Sequence, residues 1–188
     1  METTKQLINY YYQKSFENEA FVKENFSLLS EKQINWKPAF DIWGVGECIH
    51  HLIVCHKAYH PKINDAIGLS TVEERDEYPY KHSFIGKWII KGVNPVVKRK
   101  YKTFRVFKPD SSDFTEKIFN DFFEVLKQTG ELISKMKKMD LKKIKINSPV
   151  SNFLQINLGD PLIILTHHDA RHLIQAKKVK LANGFPVS

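Results

Sequence analysis

The 188-residue sequence predicts an all-α protein built as a four-helix bundle. Four stretches of helical length carry apolar residues at a spacing near 3.6. None of the remaining chain alternates convincingly as a half-buried strand does. Capping residues, a proline and a glycine stand where helices of these lengths would begin and end.

The first helix is expected from Thr3 or Thr4 to about Leu29, with Leu7, Ile8, Tyr11, Phe16, Phe21 and Phe26 as its apolar stripe. Asn35-Trp36-Lys37-Pro38 and Asp41-Ile42-Trp43-Gly44 form a connection. The second helix runs from about Val45 to Ile63, and His60-Pro61 is a candidate kink because proline disfavours helical geometry in the residue before it. From about Gly68 to Ser112 the pattern is irregular. Glu73 to Pro79 reads as a solvated loop, Phe84 to Ile90 as a helix ended by Gly92 and Pro95, and Phe104 to Pro109 as extended chain. The third long helix starts at an N-cap, Ser112 or Asp113, and reaches about Met139, with Phe114, Ile118, Phe122, Val125, Leu132 and Met136 on its apolar side. The last helix has Asp160 as N-cap, Pro161 in its first turn and Gly184 just past its end.

Composition points to one domain, residues 1–188, with ordinary hydrophobic (42%) and charged (27%) fractions. No apolar run approaches the roughly 20 residues of a membrane span, and Met1 to Gln6 lack the basic start and apolar stretch of a signal peptide. The expectation is a cytoplasmic protein without a membrane partner. Cys48 and Cys55, about 10 Å apart along a helix, are too distant for a disulfide and read as buried thiols, with a metal role as the alternative. The formal charge is +8. Much of it lies in Lys135 to Lys145 and Lys177 to Lys180, where solvated helix ends explain it better than nucleic acid does.

The chemistry-bearing residues are histidines. His168 and His172 are four apart and share a helix face, whereas His167 points about 100° away. On the second helix the apolar centre is set by Val45, Ile49, Leu52 and His56. His51 lies beside that centre, and His50 points to the far, solvent side. Two imidazoles four apart and a third from another helix make a three-ligand metal site with open positions. Asp169, Arg171 and Gln175 stand beside the pair, and a metal-bound imidazole usually gives its other nitrogen to such a partner. His56 is a further inward polar group or a satisfied core histidine.

The combination Asn35-Trp36-Lys37-Pro38, then Trp43 through Glu47 to His51-Leu52, then His168 through Arg171-His172 to Gln175 resembles the DinB/YfiT-like superfamily over nearly the whole chain. The resemblance implies a bundle in which a long crossover, residues 64 to 112, joins the second and third helices. It implies a divalent ion, zinc or nickel, held by His51, His168 and His172, and a homodimer. Relatives carry Ser or Thr where this chain has Gly44, a weaker cap for the second helix. Characterised members include thiol-dependent transferases and isomerases, so the expected function is a metal-dependent transferase or hydrolase acting on a small molecule, with a low-molecular-weight thiol as candidate co-substrate. The alternative is a non-catalytic, stress-related metal-binding protein. Glu47, a turn from His51, is a candidate base or supporting partner, or simply a carboxylate that complements the helix dipole. Nucleic acid is a minor alternative. Trp88, Phe104 and Phe107 in the crossover are candidates for core packing, a pocket wall or a dimer contact.

Overall fold

The computed structural model describes residues 2–70, 78–97, 103–109, 111 and 113–187. These residues form six helices and two small antiparallel sheets. The helices are α1 (Thr4–Phe26), α2 (Glu31–Asn35), α3 (Val45–Leu69), α4 (Phe84–Val93), α5 (Lys117–Ser134) and α6 (Asp160–Lys180). Strand β1 (Glu2–Thr3) pairs with β2 (Pro79–Tyr80), and β3 (Lys145–Ser148) with β4 (Ser151–Asn157). A 3₁₀ turn covers Arg105–Phe107. No described helix is long and apolar enough to cross a membrane.

Each long helix packs on two others: α1 on α5 and α6, and α3 on α5 and α6. The apolar core has two halves. One is built around Leu7, Tyr11, Tyr59, Ile63, Ile133 and Leu162, the other around Val22, Phe26, Ile49, Leu52, Phe122 and Leu173. Every long helix contributes to both, and each carries buried polar residues at the change-over: Asn18, His51 and His56, Thr129, Thr166 and Asp169. A polar layer therefore crosses the molecule at mid-height. Buried polar groups are tolerated there because they bond one another. Asn18 Nδ2 donates to Thr166 O at 3.3 Å, and His56, at 0% exposure, bridges Thr129 and Asp169.

Several boundaries differ from the sequence expectation, each for a local reason. Helix α1 stops at Phe26, and a short helix, α2, follows in what reads as plain connection. Its Ser30 amide is held by Gln33 Oε1 at 3.0 Å. Helix α3 continues six residues past Ile63, with Pro61 inside it on the exposed side, where the missing amide leaves a carbonyl open to water. Helix α5 starts at Lys117, not at residue 112 or 113. Asn35 holds the preceding backbone by accepting from Phe114 N (2.9 Å) and donating to Phe114 O (2.8 Å). It also ends at Ser134, short of Met139. The chain then turns into the β3–β4 hairpin, which the lysine-rich sequence conceals. Phe104–Pro109 holds a 3₁₀ turn rather than a continuous extended run. Asp160 is the first residue of α6, not its cap; Gly159 takes the cap position. Gly184 adopts φ +82°, the left-handed conformation that suits glycine just past a helix end. Of the loop expected over Glu73 to Pro79, the part up to Glu77 lies outside the described residues, as does the Ser112 cap, whereas Tyr78 is buried and Pro79 stands in β2.

Candidate metal centre

Helix α3 carries His51 and Cys55 one turn apart, and α6 carries His168 and His172 one turn apart. Packing of α3 on α6 brings the three imidazoles into a triangle. Their ring centres are 4.9 Å (His51–His168), 4.6 Å (His51–His172) and 4.6 Å (His168–His172) apart. His51 Nε2 and His168 Nε2 approach to 3.2 Å. Cys55 Sγ stands 3.8 Å from His51 Nε2, and the donor atoms of His51, Cys55 and His168 all lie within 4.8 Å of one another. This is a His/Cys group with the geometry to hold a metal ion.

The fit to a cation shows in tautomer and charge. His51 Nδ1–H donates to Phe107 O at 2.5 Å, which leaves the Nε2 lone pair aimed into the triangle. Burial pushes the His51 pKa down to about 4, and the neighbouring His50 adds to this against the opposing bond to Phe107 O. Burial, then the charges of His51 and Arg171, takes His172 to about 3, with Gln175 opposing. His168 lies well below the usual imidazole value for the same first reason, reinforced by His172 and His51. Three neutral imidazoles at pH 7 are three available lone pairs. The Cys55 thiol is pushed up by burial and by Asp169, so it stays protonated unless a cation displaces the proton.

His51 is 2% exposed, and His168 and His172 are part-buried. Trp43 walls it, with its ring 4.9 Å from His51 and 5.8 Å from His172. Phe107 adds a second aromatic edge at 6.5 Å from His51. Arg171 ties the stretch just after α4 to α6 by donating to Asn94 O (3.2 Å) and Val97 O (2.7 Å).

The remaining candidates lie elsewhere. Glu47 Oε2 accepts from Gly44 N at 2.9 Å and Oε1 from Lys37 Nζ at 3.0 Å, so its carboxylate completes the helix start that Gly44 leaves weak. His167 Nε2 meets Tyr10 OH at 2.9 Å, away from the triangle. His50 is not solvent-facing as the sequence pattern indicates; its half-buried ring packs 5.2 Å from Phe114. Asp169 faces His56 Nε2 at 3.1 Å. Cys48 is a buried free thiol. Cys55 and Trp43 are the site residues that sequence reasoning underrated. The signal for Cys55 was its position four residues after His51 on the same helix face. A hollow of about 320 Å³ lined by His60, Pro61, Asn64, Gln128, Leu132 and Lys135 lies elsewhere, since His60 is about 13 Å along α3 from His51.

The sequence profile of the DinB superfamily matches residues 22–176. No curated protein and no solved structure matches the chain.

Proposed function

The chain belongs to the DinB superfamily, and on that premise we propose that it is a metal-dependent enzyme of thiol transferase or hydrolase type. The observation that carries the reading is the convergence of His51, His168 and His172, two elements presenting three neutral imidazoles to one point. These three residues would hold a divalent ion; imidazole donors suit several, and the family resemblance favours zinc or nickel. A bound ion of this kind favours the thiolate form of a thiol or lowers the pKa of water. The chain's own contribution is positioning. Phe107 O fixes the His51 tautomer, Trp43 shields one flank, and His168 and His172, less buried than His51, are the side from which a small substrate would approach. The reading includes the four long helices as a four-helix bundle with residues 64 to 112 as crossover, a homodimer, and a cytoplasmic location. Glu47 enters only as the group that fixes the start of α3.

A second reading rests on Cys55. With its thiolate as fourth ligand the site would be closed, as structural and storage sites are, and the protein would bind metal without turnover. The experiment that separates the two is consumption of a low-molecular-weight thiol with an electrophile by the metal-loaded chain, repeated with His172→Ala. Turnover that disappears in the variant supports the enzyme. Metal binding that is lost in Cys55→Ser, with no turnover by the native chain, supports the closed site.

A further inference from the structure

Between Tyr78 and Pro109 the sequence has nine Lys or Arg residues and no Asp or Glu. The other 20 basic residues of the chain are matched by 21 acidic ones, so the net positive charge of the protein resides in this segment. Helix α4 lies in it and is two-faced. Ile85, Ile89, Ile90 and Val93 pack on the core. Phe84, Lys87, Trp88 and Lys91, at i, i+3, i+4 and i+7, share the opposite side. Phe84 is 88% exposed and Trp88 68%, unusual for two large aromatics on adjacent turns of one face. Lys81, Lys87 and Lys91 are exposed around them and form no ion pair among the described residues.

We propose that the outer face of α4 is a docking surface for an anionic lipid bilayer. Aromatic rings with lysines on flexible stems suit the headgroup boundary: the rings enter, and the ammonium groups stay at phosphate level. Charge complementarity selects this occupant. A second copy of the chain would bring Lys81, Lys87 and Lys91 against another set of the same lysines, which opposes self-association through this face. Nucleic acid shares the negative charge, but α4 offers no arginine for bidentate phosphate contact, and its two aromatic rings stand among lysines alone. That no described helix is long and apolar enough to cross a membrane does not bear on surface attachment. The proposal stands apart from the metal centre and does not depend on it.

The test is co-sedimentation of the full chain with vesicles of phosphatidylglycerol and phosphatidylcholine, against vesicles of phosphatidylcholine alone. The expected result is binding to the anionic vesicles that weakens as salt rises and is weak on the neutral ones. Each lysine near an anionic surface multiplies binding about fivefold, so Lys87→Glu/Lys91→Glu should lower it by more than about tenfold. Phe84→Ser/Trp88→Ser should also lower it, with the thermal melt unchanged because both positions are exposed. No binding to anionic vesicles by the native chain overturns the proposal. So does binding that both double variants retain. Retention of a single-stranded oligonucleotide that is lost in both variants, without vesicle binding, assigns the face to nucleic acid. Self-association that is lost in Phe84→Ser/Trp88→Ser, without vesicle binding, assigns it to a second copy.

Discussion

His51 Nδ1 is committed to Phe107 O, and this one bond decides which nitrogen of His51 can take part in the triangle. Replacing His51 by Ala removes both the ligand and that anchor, whereas Cys55→Ser removes a sulfur and leaves three imidazoles. In the open-site account Cys55→Ser keeps tight metal binding, and His172→Ala weakens it by roughly 10- to 100-fold or more; competition with a chromophoric chelator measures both. Equal losses in the two variants would favour the closed, four-ligand site. The three histidines were legible because a four-residue spacing places side chains on one helix face whatever the tertiary structure. His50 was misread because helix angle alone does not report that Phe114, from a segment 64 residues away, lies against its ring. Glu47 offered two readings in the sequence, and only the short bonds to Gly44 N and Lys37 Nζ show where its carboxylate is engaged.

The start of α6 anchors several neighbouring elements through one buried carboxylate. Asp160, 0% exposed, accepts from Tyr80 OH (2.8 Å), His82 Nδ1 (2.8 Å), Ser83 Oγ (2.6 Å) and Asn157 N (2.9 Å), so it joins β2, α4 and β4 to α6. Burial alone would raise its pKa, but these hydrogen bonds hold it below the usual carboxylate value. A carboxyl group more acidic folded than unfolded adds stability above the unfolded pKa, near 3.9, and that stability is lost as pH falls below it. Asp160→Asn should therefore cost roughly 1–3 kcal/mol at pH 7 and flatten the acid limb below about pH 4, measured by urea melts across pH. The same carboxylate explains Gly86 on the inner face of α4: an added Cβ would stand 2.1 Å from Asp160 Oδ2. Gly86→Ala should lower the melting temperature. Gly92→Ala, with nothing within 4 Å, should leave it unchanged or raise stability by up to about 1 kcal/mol. At this scale the sequence was readable where a signal is local, as at Pro161. It was unreadable where a distant partner decides, as when Asn35 delays the start of α5 by holding Phe114. The β3–β4 hairpin escaped because its strands are four and seven residues long and mostly polar.

Across the whole molecule, the two apolar halves meet at a polar layer, and the metal centre belongs to that layer. Thr129 gives its only hydroxyl proton to Val125 O (2.8 Å) and accepts from His56 Nδ1 (2.8 Å) and His60 Nε2 (2.7 Å). The contact of His56 Nε2 with Asp169 then needs a proton between them, and Asp169 follows directly on His168. Asp169→Ala would leave His56 buried without that partner, at a cost of about 1–3 kcal/mol, together with looser metal binding; chemical denaturation and chelator competition read the two effects separately. A cation that binds only the folded chain stabilises it by about 2.7 kcal/mol at a hundred times its Kd, a rise in melting temperature of roughly 5–10 °C. The most direct test is the metal content of the untagged protein, with His51→Ala, His168→Ala and His167→Ala alongside. The account predicts about one divalent ion per chain, kept by His167→Ala and lost by the other two. Metal content unchanged in His51→Ala and His168→Ala would contradict it.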